Sequence, residues 1–242
     1  MITLSPKDRL IVPLDVPHYE DAEQLYQLLS PEVHWFKVGY EMFYASGRSI
    51  TDMLTRNNTQ FFLDLKLHDI PNTVGKGMEQ LVETGMSMVT VHTSGGKAMM
   101  MAAREAAEKR STELGIPRPL LLGVTVLTSL SEEDLQADGF ALSVAEIVRR
   151  RSVLAMESGL DGIVCSPAEA SLVKEATGGK LFTVTPGIRP QAAGDDQQRV
   201  ATPFAAIQSG SDYLVVGRPI YAAVDPLAAA QAVLKEIKEA LS

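Results

Sequence analysis

The sequence predicts an α/β protein, a closed (β/α)8 TIM barrel that takes up the whole chain, residues 1–242, as a single domain. Three observations carry this. Short apolar, β-branched runs recur from one end of the chain to the other, and they lack the polar alternation of a half-exposed strand, so they read as parallel strands covered on both faces. Segments of helix-forming composition with amphipathic spacing separate them. The chain of 242 residues gives each of about eight such units roughly 30 residues, the usual size of this barrel. An open doubly wound sheet is the alternative, and the two differ in whether the strand ends gather around one mouth.

In chain order the expected strands are Leu10 to Leu14, Trp35 to Val38, Phe61 to Leu65, Met88 to Val91, Leu120 to Val126, Gly162 to Val164, Leu181 to Val184 and Tyr213 to Val216. The expected helices are Tyr19 to Leu29, Thr73 to Thr84, Lys97 to Leu114, Ser143 to Ser158, Pro167 to Thr177, Pro203 to Ser209 and Pro226 to Leu241. Tyr40 to Asn57 has room for one or two short helices, and Gly178-Gly179 suits a helix C-terminal turn. No linker or low-complexity stretch divides the chain.

Composition narrows the function. With 22 Lys and Arg against 30 Asp and Glu the formal charge is −8, which argues against nucleic-acid binding by bulk electrostatics. The longest uncharged runs, such as 119–131, fall short of the ~20 apolar residues of a membrane helix, so no membrane partner is expected. Lys7, Asp8 and Arg9 precede the first apolar run, which leaves no room for a signal-peptide core, and the single Cys165 fits a reducing compartment. Both point to the cytoplasm. Cys165 itself reads as a core thiol and Met99 to Met101 as packing surface. Arg149 to Arg151 reads as a solvated helix face, Gly95-Gly96-Lys97 as a turn, and His92 as a structural histidine.

At the C-terminal ends of successive strands stand Asp15, Lys37, Asp64 with Lys66, His92, Thr128, Ser166, Arg189 and Arg218. In a barrel that end carries the site. Residues two apart share a face of a strand, so Asp64 and Lys66 should point together into the mouth, with Asp69 following where the chain has left the strand. A salt-bridged rim cluster explains the same spacing. Two carboxylates in one pocket are costly unless cations intervene, and Lys37 and Lys66 are the candidates. Such an array holds fixed charge ready for a reaction that develops charge. Later, Gly187 with Arg189 and Gly217 with Arg218 follow the last two strands, where these barrels commonly hold a phosphate on backbone N–H groups and forked guanidinium contacts. Between them Pro190 to Arg199 can close as a flap.

These residues together resemble the orotidine 5'-phosphate decarboxylase family. The likeness runs in order along nearly the whole chain. It comprises Leu14-Asp15, Lys37-Val38-Gly39, the string Phe62-Leu63-Asp64-Leu65-Lys66-Leu67-His68-Asp69-Ile70-Pro71-Asn72-Thr73, then Thr185-Pro186-Gly187-Ile188-Arg189 and Val216-Gly217-Arg218-Pro219. The long string is specific to this family, whereas the shorter Asp-x-Lys-x-x-Asp pattern is shared with related sugar-phosphate decarboxylases and synthases.

The resemblance implies decarboxylation of orotidine 5'-monophosphate to UMP and carbon dioxide, the last step of UMP biosynthesis, with no metal and no organic cofactor. It implies that Lys66 protonates C6 of the pyrimidine, that Asp64 lies near the departing carboxylate, and that Lys37 and Asp15 hold ribose hydroxyls. Asp69 is expected to reach across a homodimer interface into the partner's site, with Thr73 contributing to the ribose or the interface. Thr128 is expected to face the pyrimidine, and Arg189, Gln197, Gly217 and Arg218 to bind phosphate, Gln197 also touching the base. Counting back from Gly217 selects Gln197, with the adjacent Gln198 as the alternative. Other readings of the same residues are a Mg²⁺-dependent decarboxylase or synthase acting on a sugar phosphate, a Schiff-base aldolase using Lys66, and a non-catalytic nucleotide-binding barrel.

Overall fold

The structure, a computed structural model, describes residues 4–190 and 201–242. The order of elements is β1 (Leu10–Pro13), α1 (Tyr19–Leu29), β2 (Trp35–Val38), α2 (Tyr40–Ser46), α3 (Arg48–Arg56), β3 (Gln60–Leu67), α4 (Pro71–Val82), β4 (Met88–His92), α5 (Gly96–Leu114), β5 (Leu120–Val124), α6 (Glu132–Ala137), α7 (Val144–Glu157), β6 (Gly162–Val164), α8 (Ala170–Ala176), β7 (Phe182–Thr185), α9 (Pro203–Gln208), β8 (Tyr213–Val215), α10 (Arg218–Tyr221) and α11 (Pro226–Ala240). The eight strands are parallel and close in sequence order, β8 returning to β1 through Leu10 opposite Leu214 and Ile11 opposite Val215. The open-sheet alternative is thereby excluded.

Alternation along each strand divides the core in two. Ile11, Trp35, Phe62, Met88, Leu122, Val184 and Tyr213 pack together inside the barrel. Their neighbours, among them Leu10, Val12, Phe36, Phe61, Leu63, Val89, Leu121, Ile163 and Leu214, pack outward under the helices. Both faces are therefore apolar, which is why the strands show as unbroken runs in the sequence. Two residues beyond the inner apolar layer, the same face of β1 to β4 carries Pro13, Lys37, Asp64 and Thr90. The barrel is plugged with hydrocarbon below and turns polar above.

The helices differ from expectation in four places, one of them the short α10, which was not anticipated. α6 was not anticipated: its six residues hold one buried apolar side chain, Leu135, and depend on a reciprocal cap between Ser131 and Asp134. The segment Pro167 to Thr177 starts as a 3-10 turn, Pro167–Glu169, before α8, because Glu169 folds back to accept from the Ser166 backbone at 2.9 Å. Arg149 to Arg151 is not one solvated face. Arg149 and Arg150 pair with Glu146, but Arg151 turns inward, donates to the Thr125 carbonyl and lies 5.7 Å from the Phe140 ring centroid. Cys165 is fully buried, and a short 3-10 turn, Thr93–Gly95, leads into α5. Met99 and Met100 are buried, while Met101 is 40% exposed.

Candidate active site

β3 is built to bring its end into the mouth. Leu63 pairs with Val89 and Leu67 with Val91, so four steps along β3 are matched by two along β4, and Asp64, Leu65 and Lys66 bulge out of register between them. Within the bulge Lys66 has φ of +44°, in the left-handed region. A non-glycine residue there costs of order 1–3 kcal/mol and persists only where its surroundings impose it. Asp64 and Lys66 do come together, Oδ2 to Nζ at 2.9 Å, though the bulge and not a regular pleat brings this about.

The charges form an alternating chain. Asp15 Oδ1 lies 3.2 Å from Lys37 Nζ, Lys37 Nζ lies 3.7 Å from Asp64 Oδ2, and Asp64 Oδ2 meets Lys66. Burial acts to raise the Asp64 carboxyl pKa, but the Lys37 and Lys66 ammonium groups and hydrogen bonds from Lys66 and Thr90 outweigh it and hold it below its ordinary 3.8. Asp64 is thus an anion between two cations, and the desolvation of two carboxylates is offset as the sequence required. Burial, helped by the neighbouring His68, Lys66 and Arg151 and opposed by Asp64, drives His92 down to about 4, so its imidazole is neutral at neutral pH. Its ring lies 5.1 Å from that of His68.

Arg189 is buried, and its backbone N–H donates to the Ala201 carbonyl at 2.9 Å, while Ala201 N–H returns a bond to Gly187. Gly187 has φ of +80°, a conformation that favours glycine. Arg218 opens α10 directly after Gly217. A cleft of about 180 Å³ is lined by Gly187, Arg189, Gly217 and Arg218 on one side and by Asp15 and Lys37 on the other. Two arginines and the Asp15–Lys37 end of the charged array therefore share one hollow. A larger cavity of about 580 Å³ sits at the opposite end of the barrel between Trp35, Gln60, Arg118 and Tyr213, away from all of these groups.

Not every expected residue joins the cleft. Thr128 is half-buried in the turn after β5, while Asp69 is exposed on the β3–α4 connection and Thr73 in the first turn of α4. Asp69 Oδ1 accepts from the Ile70 backbone at 2.6 Å, and among the described residues it has no cation within 4.0 Å. Gln197 and Gln198, and the flap expected at Pro190 to Arg199, fall on 191–200, outside the described residues apart from Pro190 itself. Among the described residues no three His, Cys, Asp or Glu side chains are grouped to hold a metal ion.

Residues 8–233 match the Orotidine 5'-phosphate decarboxylase / HUMPS family. The chain belongs to this family. A protein of Moorella thermoacetica named orotidine 5'-phosphate decarboxylase is 46% identical over 240 residues, covering 98% of this chain and 95% of its own. One of the same name from Chromobacterium violaceum is 48% identical over 236 residues, 97% of this chain and 92% of its own. The crystal structure of orotidine 5'-phosphate decarboxylase from Lactobacillus acidophilus superposes with a TM-score of 0.84 at 40% identity, covering 94% of this chain and 98% of that one.

Thr90 and Tyr40 escaped the sequence reading, and Gly39 entered it only within the Lys37-Val38-Gly39 motif, with no role. Gly39 leaves no room for a side chain, since a Cβ would stand 2.8 Å from Lys37 Nζ and 3.0 Å from Asp15 Oδ1. Thr90 Oγ1 donates to Asp64 Oδ1 at 3.0 Å. Tyr40 lies against Lys66, whose Nζ is 5.5 Å from the ring centroid. Thr90 had a signal, being two residues on from the inner-layer Met88; Tyr40, just past β2, had none.

Proposed function

We propose that this chain decarboxylates orotidine 5'-monophosphate to UMP and carbon dioxide, the closing step of UMP synthesis, with Lys66 as the proton donor. The observation that carries the reading is the alternating Asp15–Lys37–Asp64–Lys66 chain, whose first two members line the same cleft as Gly187, Arg189, Gly217 and Arg218. Loss of carbon dioxide from C6 leaves an electron pair on a carbon with no adjacent carbonyl to take it up as an enolate. The barrier then falls by placing positive charge and a proton at that carbon. An ammonium at Lys66 attracts the growing carbanion and transfers its proton to it, an interaction stronger in the transition state than in the ground state.

In this reading Lys37 and Asp15 hold the ribose hydroxyls, and Asp64, beside the departing carboxylate, holds the Lys66 ammonium in place. Arg189, Gly217 and Arg218 take the phosphate, and Gln197 closes over it. Binding energy from that distant phosphate helps assemble the charged array around the reacting carbon. Thr128 faces the pyrimidine. Asp69 and Thr73 serve the site of a second copy of the chain; their exposure, and that of Ile70 between them at 66%, supports this.

The test is loss of the orotate chromophore on incubation with orotidine 5'-monophosphate, with and without chelator. Turnover that survives the chelator is expected; turnover abolished by it and restored by Mg²⁺ would favour the metal-dependent relatives. Lys66→Ala should remove nearly all turnover while UMP still binds, and retention of even about a tenth of kcat would refute its role as acid.

A further inference from the structure

The peptide between Leu65 and Lys66 is held at both polar ends by side chains that the proposed reaction does not otherwise use. Its carbonyl accepts from the Tyr40 hydroxyl at 3.1 Å, and its N–H donates to Thr90 Oγ1 at 2.9 Å. The Thr90 hydroxyl in turn donates a hydrogen bond to Asp64 Oδ1 at 3.0 Å, so a single hydroxyl fixes both the peptide and the carboxylate beside it. The Lys66 ammonium lies over the Tyr40 ring, which in turn stacks on Tyr44 with centroids 5.7 Å apart and planes 4° from parallel.

These contacts meet at Lys66, the residue of β3 whose backbone is left-handed. The orientation of the Leu65–Lys66 peptide plane sets φ of Lys66 and with it the local backbone from which the side chain leaves, and opposed hydrogen bonds from Tyr40 and Thr90 hold that plane. An aromatic face beside an ammonium attracts it and holds it in place. The same contacts do nothing obvious for the barrel as a whole, because the bulge they brace lies above the apolar plug.

We infer that Tyr40 and Thr90 are positioning residues for Lys66: their hydroxyls clamp the Leu65–Lys66 peptide, and the Tyr40 ring backs the ammonium, so that Nζ stays beside Asp64 and aimed into the mouth. This deepens the proposed function and rests on Lys66 being the proton donor.

The experiment compares Thr90→Val, Thr90→Ser, Tyr40→Phe and Tyr40→Leu with the parent in steady-state decarboxylation. Loss of one clamping hydrogen bond in Thr90→Val should lower kcat about tenfold with KM within about twofold, since the substrate contacts remain and only aim is lost. Thr90→Ser, which keeps the hydroxyl, should recover most of it. Tyr40→Phe keeps the ring and should lose roughly threefold in kcat. Tyr40→Leu removes ring and hydroxyl together and should lower kcat further than Tyr40→Phe, again with KM nearly unchanged.

Unaltered kcat in Thr90→Val and Tyr40→Leu, equal impairment of Thr90→Ser and Thr90→Val, or a rise confined to KM would each overturn the inference. Should Thr90→Val fail to fold, the Tyr40 variants decide alone, that side chain being 44% exposed. A parent protein inactive on orotidine 5'-monophosphate would sink the proposed function instead. Crystal structures of Tyr40→Phe and Thr90→Ala would then decide the clamp: Lys66 is expected to leave positive φ, and its persistence there beside Asp64 would overturn the inference.

Discussion

At the scale of single residues, the mouth separates groups that hold charge from groups that refuse it. His92 refuses it: burial and its positive neighbours push its pKa from 6.5 to about 4, whereas the unfolded chain takes up a proton near the ordinary value. Between those pH values the unfolded state binds more protons, so stability rises with pH from about 4 to 6.5 and falls on acidification. Asp64 adds its own loss only below 3.8, because its carboxyl is held down. Urea unfolding at pH 7 and pH 5 should show a loss in the parent that His92→Gln reduces; an equal loss in both would place the acid sensitivity elsewhere. The place of His92 at the end of an apolar strand was legible in the sequence. Its neutrality was not, since the neighbours that impose it come from β3 and α7. Arg151 was misread although helix geometry warns against it: successive residues turn by about 100°, so three in a row do not share one face.

At the scale of elements, two glycines at opposite ends of the barrel distinguish function from stability. Gly39 caps α2 at the mouth, where an added Cβ would press on Lys37 Nζ and Asp15 Oδ1, the mobile ends of two side chains. Gly162 opens β6 at the base, where a Cβ would stand 2.6 Å from the Phe182 ring and 2.8 Å from its carbonyl oxygen. Gly39→Ala should therefore raise KM with little change in melting temperature, and Gly162→Ala should destabilise by about 1–3 kcal/mol with near-normal KM in the folded fraction. Thermal melts beside initial rates check both, and the reverse pattern would contradict the assignment of Lys37 and Asp15 to the substrate. The strands were legible to within two residues at either end because burial on both faces writes them as apolar runs. The bulge in β3 was not, since Phe62-Leu63-Asp64-Leu65-Lys66 alternates as a regular strand would and only pairing with β4 reveals the extra residues. α6 was hidden for a similar reason, its acidic first turn and single apolar anchor lacking a helical stripe.

At the scale of the whole molecule, closure of the sheet gathers residues as far apart in sequence as Asp15 and Arg218 around one hollow, which the list of polar strand ends already implied. Association of two chains was not legible from spacing and rests on the family resemblance. If Asp69 completes a partner's site, mixing and reassembling Lys66→Ala with Asp69→Ala should restore about a quarter of parental activity, because half the dimers are hybrids and each hybrid has one intact site. No recovery would place Asp69 within its own subunit's site or outside catalysis. The most direct test of the chemistry is a crystal structure with UMP bound. Lys66 Nζ is expected within about 3.5 Å of pyrimidine C6, with the phosphate on Gly217, Arg189 and Arg218. UMP seated with C6 beyond reach of that amine would contradict the assignment of Lys66 as the proton donor.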